Sequence, residues 1–482
     1  YGLSTPVNEQ YRCANLIDKG KGYGMEAIQI DGNNILSVYD TICGVRDYCI
    51  SKQKPYLVEC MTFRMRGHEE ASGTKYVPKE LLQEWAAKDP VSNFEMYLMQ
   101  TGILTADTAN QIKQRIKNHI EEELKIPEEK ARPDTDEELK DLYACTANLK
   151  SFSYPEDALS PLPEKRFIDG IKEGLLQSMQ KHPNLVLMGQ DIAEYGGAFK
   201  ITEGLVQQFG KERVRNTPLC ESAVVGAALG LSLEGFKSVM EMQFADFVTE
   251  GFNQIINNLA KIHYRWGQNA DVVIRMPTGA GVGAGPFHSQ SNEAWFVHTP
   301  GLKVVYPSTP MDAKGLLIAA INDPNPVMYF EHKGLYRSIE GPLPENYYEI
   351  EIGKASLVQQ GEHVSIITYG AGVHWAKDYA KEHSEISLDI LDLRTLLPLD
   401  YDAIRSSVMR TGKVLILHED VLIGGIGGEI SAWINEHCFE SLDAPVMRCA
   451  SLDTPIPFSI DLEKNFLANA RLDEVVKKLV RY

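Results

Sequence analysis

Arg213-Val-Arg-Asn-Thr-Pro-Leu-Cys-Glu-Ser-Ala-Val-Val-Gly-Ala-Ala-Leu-Gly-Leu-Ser-Leu-Glu-Gly-Phe-Lys-Ser-Val-Met-Glu-Met-Gln243 is the stretch on which the fold turns. Residues 213–215 read as a short strand, 223–233 as a helix of small apolar residues, and 239–243 as a second apolar strand. Parallel strands need a crossover to join them, and a helix between two apolar strands supplies one, so the stretch predicts a parallel sheet covered by helices.

The same alternation extends in both directions. Helical spacing links Phe167, Ile168, Ile171, Leu175 and Met179, and strands are expected at 185–188 and 272–275. A helix is expected over 247–261, and a strand and helix over 304–321. A further block has strands at 364–368, 388–391 and 414–418 and closes with an amphipathic helix from Leu472. Towards the amino terminus, residues 28–31 and 56–62 read as strands around a helix bearing Ile35, Val38, Tyr39, Ile42, Val45 and Cys49. Ile112, Ile116, Ile120 and Leu124 then form one helical stripe, expected to pack on its own core. Between residues 126 and 163, prolines at 127, 133, 155, 161 and 163 mix with acids, which marks a linker. Three α/β domains are expected, at 1–150, 151–345 and 355–482, the first of them truncated.

Composition narrows the class. With 48 Lys plus Arg against 66 Asp plus Glu in 482 residues, the formal charge of -18 argues against a nucleic-acid or anionic-membrane surface. The longest apolar run, 222–233, falls short of the roughly 20 residues that span a bilayer. The eight cysteines show no C-x-x-C spacing, and most are expected to act as small hydrophobes in a reduced, cytoplasmic setting. The opening Tyr1-Gly-Leu-Ser-Thr-Pro6 resembles the middle of a domain, so the sequence reads as part of a longer protein.

Candidate chemistry gathers on loops after strands, where open α/β sheets place ligands. His68 ends Thr62-Phe-Arg-Met-Arg-Gly-His68, beside two arginines. Glu221 opens the small-residue helix, either as a dipole partner or, if Leu219, Cys220, Val224 and Val225 bury it, as a group able to hold or share a proton. His288 follows the glycine-rich Gly279-Ala-Gly-Val-Gly-Ala-Gly285, with Ser289 and Gln290 placed to fix its tautomer. No helix follows that glycine run, so it fails the context of a dinucleotide loop. Gly424-Gly-Ile-Gly-Gly428 does open a helix, and close helix packing explains it better than phosphate. There is no zinc-like spacing, nucleophile elbow or Walker loop, so a cofactor must supply the hard step.

Taken with Gly189-Gln-Asp-Ile-Ala-Glu-Tyr-Gly-Gly-Ala-Phe199, Glu241-Met-Gln-Phe-Ala-Asp-Phe247, His298-Thr-Pro-Gly-Leu-Lys-Val-Val305, Asp392-Leu-Arg-Thr-Leu-Leu-Pro398 and His418-Glu419, these residues give the resemblance. The chain closely resembles the thiamine-diphosphate-dependent dehydrogenase component of 2-oxoacid dehydrogenase complexes. Residues 1 to about 150 look like the later part of its alpha subunit and about 160 to 482 like its beta subunit.

The resemblance implies a transketolase-like thiamine-diphosphate-binding fold with a C-terminal transketolase-type α/β domain. It implies that Glu221 hydrogen-bonds the cofactor's aminopyrimidine, that Leu219, Gln243 and Phe247 line that pocket with Phe247 stacked on the ring, and that His68 and His288 serve substrate binding, proton movement and transfer to the lipoyl group. The backbone carbonyl of Tyr1 matches a magnesium ligand. The family's Gly-Asp-Gly motif and a following asparagine would lie before Tyr1, so weak cofactor binding is expected of the chain as given. Glu69 stands where mammalian relatives carry a kinase-regulated serine, which removes that control. Gln243, where pyruvate-using relatives tend to have methionine, points to branched-chain 2-oxoacids such as 2-oxoisovalerate. A lipoyl-bearing dihydrolipoyl acyltransferase is the implied partner, and a homodimer with isologous contacts the implied assembly. A pyruvate-specific enzyme, or an interaction module docking through the region from about residue 355, are the alternatives.

Overall fold

The structure is a computed structural model that describes residues 1–69, 71, 73–125, 142–146 and 162–482. It divides into two compact units, Tyr1–Pro133 and Asp134–Tyr482. Most of the expected linker, 126–141 and 147–161, lies outside the described residues.

The first unit holds strands β1 (Glu26–Asp31) and β2 (Tyr56–Met61), paired in parallel from Glu26 opposite Tyr56 to Asp31 opposite Met61, with the helix Ile35–Lys52 as their crossover. Asn34 starts that helix by accepting from the Leu36 and Ser37 N–H groups, which is why it begins there. The helix Ala106–Glu123 forms as expected, but its stripe does not: Ile112, Ile116, Ile120 and Leu124 are 39–73% exposed rather than packed on a core. Helical spacing fixes which residues share a face but says nothing of whether anything covers it.

The second unit contains β3 (Glu164–Arg166), β4 (Leu185–Gly189), β5 (Val214–Asn216), β6 (Lys237–Glu241), β7 (Val272–Thr278), β8 (Lys303–Val305), β9 (Val327–His332), β10 (Glu340–Pro342), β11 (Ser356–Gln359), β12 (Val364–Thr368), β13 (Leu388–Asp392), β14 (Thr395–Leu397), β15 (Val414–Val421) and β16 (Met447–Ser451). A seven-stranded sheet runs in the order β14-β8-β9-β7-β6-β4-β5, parallel throughout except for β14. A five-stranded sheet runs β11-β13-β12-β15-β16, antiparallel only at β11. Both are α/β layers, and β4, β7, β9 and β12 are buried along their whole length, as strands covered on both faces must be.

Two further expectations, on the segment 247–261 and on the cysteines, differ from the structure. Residues 247–261 do not form one helix: they break into 3-10 turns (Ala245–Gly251, Leu259–Lys261) and a π turn (Gln254–Asn258). Asn253, Asn257 and Asn258 favour local side-chain bonds over a regular helix, and Gly251 lies close against Val225, where an added Cβ would come within 3.1 Å of its side chain. Of the cysteines, only Cys438 and Cys449 are buried, while Cys43, Cys60 and Cys145 are exposed. Among the described residues no helix is long and apolar enough to cross a membrane.

One hydrophobic cluster joins the two sheets: Ile274 and Phe330 from the larger share it with Leu391 and Ile416 from the smaller, with Tyr369 just beyond β12 and with Ile430 from the helix Gly427–Cys438. Beneath the functional edge, Arg275 is buried between Glu331, at 2.6 and 2.8 Å, and Glu241, at 2.5 Å. Burial alone would weaken the guanidinium's charge, but the two carboxylates outweigh it and hold it protonated. Burial likewise pushes the Glu241 carboxyl up, against the pull of Arg275.

Candidate functional site

Because β4, β5, β6, β7 and β9 run parallel, their carboxyl ends share one edge of the sheet. The loops leaving that edge carry Gln190 and Asp191, the approach to Glu221, Gln243 to Phe247, the glycine run with His288, and Lys333. Chain direction therefore gathers residues that are more than a hundred positions apart in sequence.

Glu221 is the first residue of the helix Glu221–Leu233 and is only 8% exposed. The Gln190 amide donates to its Oε1 at 3.4 Å. Nearby, the buried Thr217 hydroxyl lacks a hydrogen-bond partner among the described residues. Leu219 stands at the rim, 80% exposed. Gln243 is half-buried and donates to Asp191 Oδ2 at 3.1 Å, while Asp191 itself is held at φ 59°.

His288 lies in an aromatic frame, its ring 4.8 Å from Phe244 and 5.5 Å from Phe247, both edge-on. Here the sequence reading is corrected. Ser289 and Gln290 act through their backbone N–H groups, both donated to Asp246 Oδ1 at 3.2 Å, and the Ser289 hydroxyl is left without a partner among the described residues. Asp246 escaped the sequence reading, although its place between Phe244 and Phe247 was the signal. Lys333 escaped it too: buried, it donates to the Gly279 carbonyl at 2.7 Å, and burial pulls its ammonium down to about 8.

Tyr1 and His68 belong to the first unit. Tyr1 packs against Tyr76 at 5.6 Å and Phe63 at 6.3 Å, beside a cavity of about 210 Å3 lined also by Thr62, Arg64, Arg66 and Val77. His68 is exposed on the following loop, 3.8 Å from the Glu69 carboxylate. Gly425 and Gly427 press on His418, where an added Cβ would come within 2.7 and 2.6 Å of the ring, so those glycines serve packing.

Residues 1–136 match the family Dehydrogenase E1 component, 165–338 match Transketolase, pyrimidine binding domain, and 353–471 match Transketolase, C-terminal domain. The 2-oxoisovalerate dehydrogenase subunit beta of Bacillus subtilis is 44% identical over 66% of this chain and 98% of its own length. The mitochondrial counterpart of Dictyostelium discoideum is 43% identical over 63% of this chain and 85% of its own length. A pyruvate dehydrogenase E1 component subunit beta, also from Bacillus subtilis, is 42% identical over 67% and 100%. A solved structure, a split gene transketolase described as an inactive beta4 tetramer, aligns with a TM-score of 0.54 at 22% identity, over 65% of this chain and 98% of its own, and so shares the transketolase-like fold. The chain therefore belongs to the thiamine-diphosphate-dependent 2-oxoacid dehydrogenases, the decarboxylating E1 components that work with a lipoyl acyltransferase core, with an alpha-type and a beta-type stretch in one polypeptide.

Proposed function

We propose that the protein decarboxylates branched-chain 2-oxoacids, 2-oxoisovalerate foremost, and passes the acyl group to lipoamide on a dihydrolipoyl acyltransferase. The observation that carries this reading is the buried Glu221 carboxylate, on the strand edge that also bears Gln243, Phe247 and His288. A buried carboxyl with a single long side-chain bond, an unpartnered Thr217 hydroxyl and a half-buried aromatic face suit the aminopyrimidine end of thiamine diphosphate. When bound, the cofactor supplies the electron sink that decarboxylation requires.

The chain's own residues then have distinct tasks. Glu221, buried at the start of its helix, would share a proton with the pyrimidine ring through a carboxylate oxygen. Phe247 gives a stacking face, and Gln243 and Leu219 form the walls. His288 and His68 bind substrate, move protons at the reacting oxygen and serve acyl transfer. The Tyr1 carbonyl would hold magnesium, and Arg64 and Arg66 beside it suit an anionic ligand. A homodimer is the proposed assembly.

Glu221→Gln keeps the size and loses the exchangeable proton. It should lower turnover of the full-length protein by about 100-fold or more with a melting temperature close to the unaltered protein; turnover within a few-fold of normal would refute the assignment. Relatives of both substrate types match at 44% and 42%, so specificity is a kinetic question. Higher kcat/KM for 2-oxoisovalerate than for pyruvate is expected, and the reverse order would replace the branched-chain reading.

A further inference from the structure

The glycine run at 279–285 is too regular to ignore and is not a phosphate loop. Gly279, Gly281, Gly283 and Gly285 all have positive φ, between 69° and 92°, a region that residues with a Cβ rarely adopt. Side chains are excluded at both ends, since an added Cβ would come within 2.3 Å of the His332 ring at Gly279 and of the Phe458 ring at Gly285. A chain of this kind has no order of its own and takes its shape from what grips it.

What grips it is a set of carboxylates. Glu419 Oε1 accepts from Ala280 N at 2.6 Å. Glu463 accepts from Gly281 N at 3.0 Å through Oε1 and from Gly283 N at 3.0 Å through Oε2. Asp246 accepts from the N–H groups just after His288. A loop whose amides could cradle an external anion has them turned onto the protein's own acids. Of these acids, Glu419 is also committed to His332 at 2.6 Å, and Asp246 belongs to the pocket segment itself. Glu463 is different: only 3% exposed, it lies in the helix Ile460–Phe466, inside the stretch that matches the transketolase C-terminal domain, and both its oxygens serve the loop.

We propose that Glu463 is a positioning residue for this enzyme, by which the C-terminal stretch holds the glycine loop, and through it His288, in the arrangement that substrate handling needs. The inference rests on the reading of His288 given above. It adds to Glu419 a second carboxylate of the C-terminal stretch that acts on the loop, one whose two oxygens both serve the loop amides.

The test uses the full-length protein with Glu463→Ala, Glu463→Gln, Glu463→Asp and, in parallel, His288→Asn. Glu463→Ala should raise amide hydrogen exchange at 281 and 283 by 10-fold or more. It should also cut kcat for 2-oxoacid decarboxylation by about 10- to 100-fold, the scale of a misplaced catalytic group, and shift the pH profile of kcat, with little change in melting temperature. Glu463→Asp, which keeps the charge, should recover part of the activity. Should the alanine variant fail to fold, Glu463→Gln, which keeps the shape and one acceptor, should show the same changes at smaller size. Normal kcat, KM and pH profile in a folded Glu463 variant, while His288→Asn is impaired, would overturn this inference alone. Normal turnover in both would overturn the reading of His288 and the inference together.

Discussion

At the scale of single residues, the buried charges behave differently according to whether they are matched. Arg275 forms ion pairs with two carboxylates at once, so Arg275→Ala would leave Glu241 and Glu331 buried without a counter-charge. A loss of about 3–5 kcal/mol is expected, and a denaturant midpoint unchanged from the unaltered protein would contradict it. Glu293, buried and bonded to the Tyr369 hydroxyl at 2.7 Å, is pushed up to about 7, by burial first and by Glu419 in the same direction. Asp420 is pushed up to about 8 by burial and by Glu293. Folded protein thus keeps protons that the unfolded chain has released above its ordinary carboxyl range, and stability falls as pH rises through that window. His418, pulled down to about 4 by burial, acts oppositely, but only below its ordinary 6.5. Between pH 6.5 and 8 the acids therefore count without it. The loss of stability over that interval should be smaller in Glu293→Gln than in the unaltered protein, as thermal melts at both pH values would reveal.

At the scale of elements, close packing is decided by glycines where helices meet. Gly170, in the helix Phe167–Lys181, faces the helix Pro310–Asn322 so closely that an added Cβ would fall 2.4 Å from the Pro310 carbonyl oxygen. Gly170→Ala should force the pair apart and cost about 1–3 kcal/mol; a variant as stable as the parent would show that the contact can relax. The periodicity that located these helices also located Ala106–Glu123, yet one stripe is buried and the other open. Strands β3, β9, β10, β11, β14 and β16 were not anticipated. β14 is three residues on an edge, too short for any alternation to register. β9 starts directly after Pro324-Asn325-Pro326, the break that ends the helix Pro310–Asn322.

At the scale of the whole molecule, the second unit is tied together across its two sheets. β14 leaves the stretch that matches the C-terminal domain and pairs antiparallel with β8 of the larger sheet, the His332 and Glu419 pair spans the same boundary, and the shared hydrophobic cluster fills it. Residues 162–482 should therefore unfold in one cooperative transition, followed by tryptophan fluorescence and far-ultraviolet circular dichroism together. Two separated transitions, one for each sheet, would contradict this. The strap at 142–146 is fastened to the same unit: Asn325 both donates to and accepts from the Ala144 backbone, and the Tyr143 hydroxyl donates to the Leu302 carbonyl.

Much of this was legible in the residues, because the alternation of apolar strands and helices dictates a parallel sheet, and a parallel sheet dictates that its loops gather at one edge. Glu221 and His288 could be singled out on that ground, and Gln243 and Phe247 through the family resemblance of their motif, without coordinates. What the sequence by itself could not determine was partnership across distance: that Arg275 lies between two glutamates, that Asp246 rather than Ser289 or Gln290 side chains steadies the His288 loop, and that Glu463, 180 residues or more beyond, takes the glycine amides. Hydrogen bonds and ion pairs of that kind depend on distances of a few ångströms between elements, and only the packed tertiary structure sets those distances.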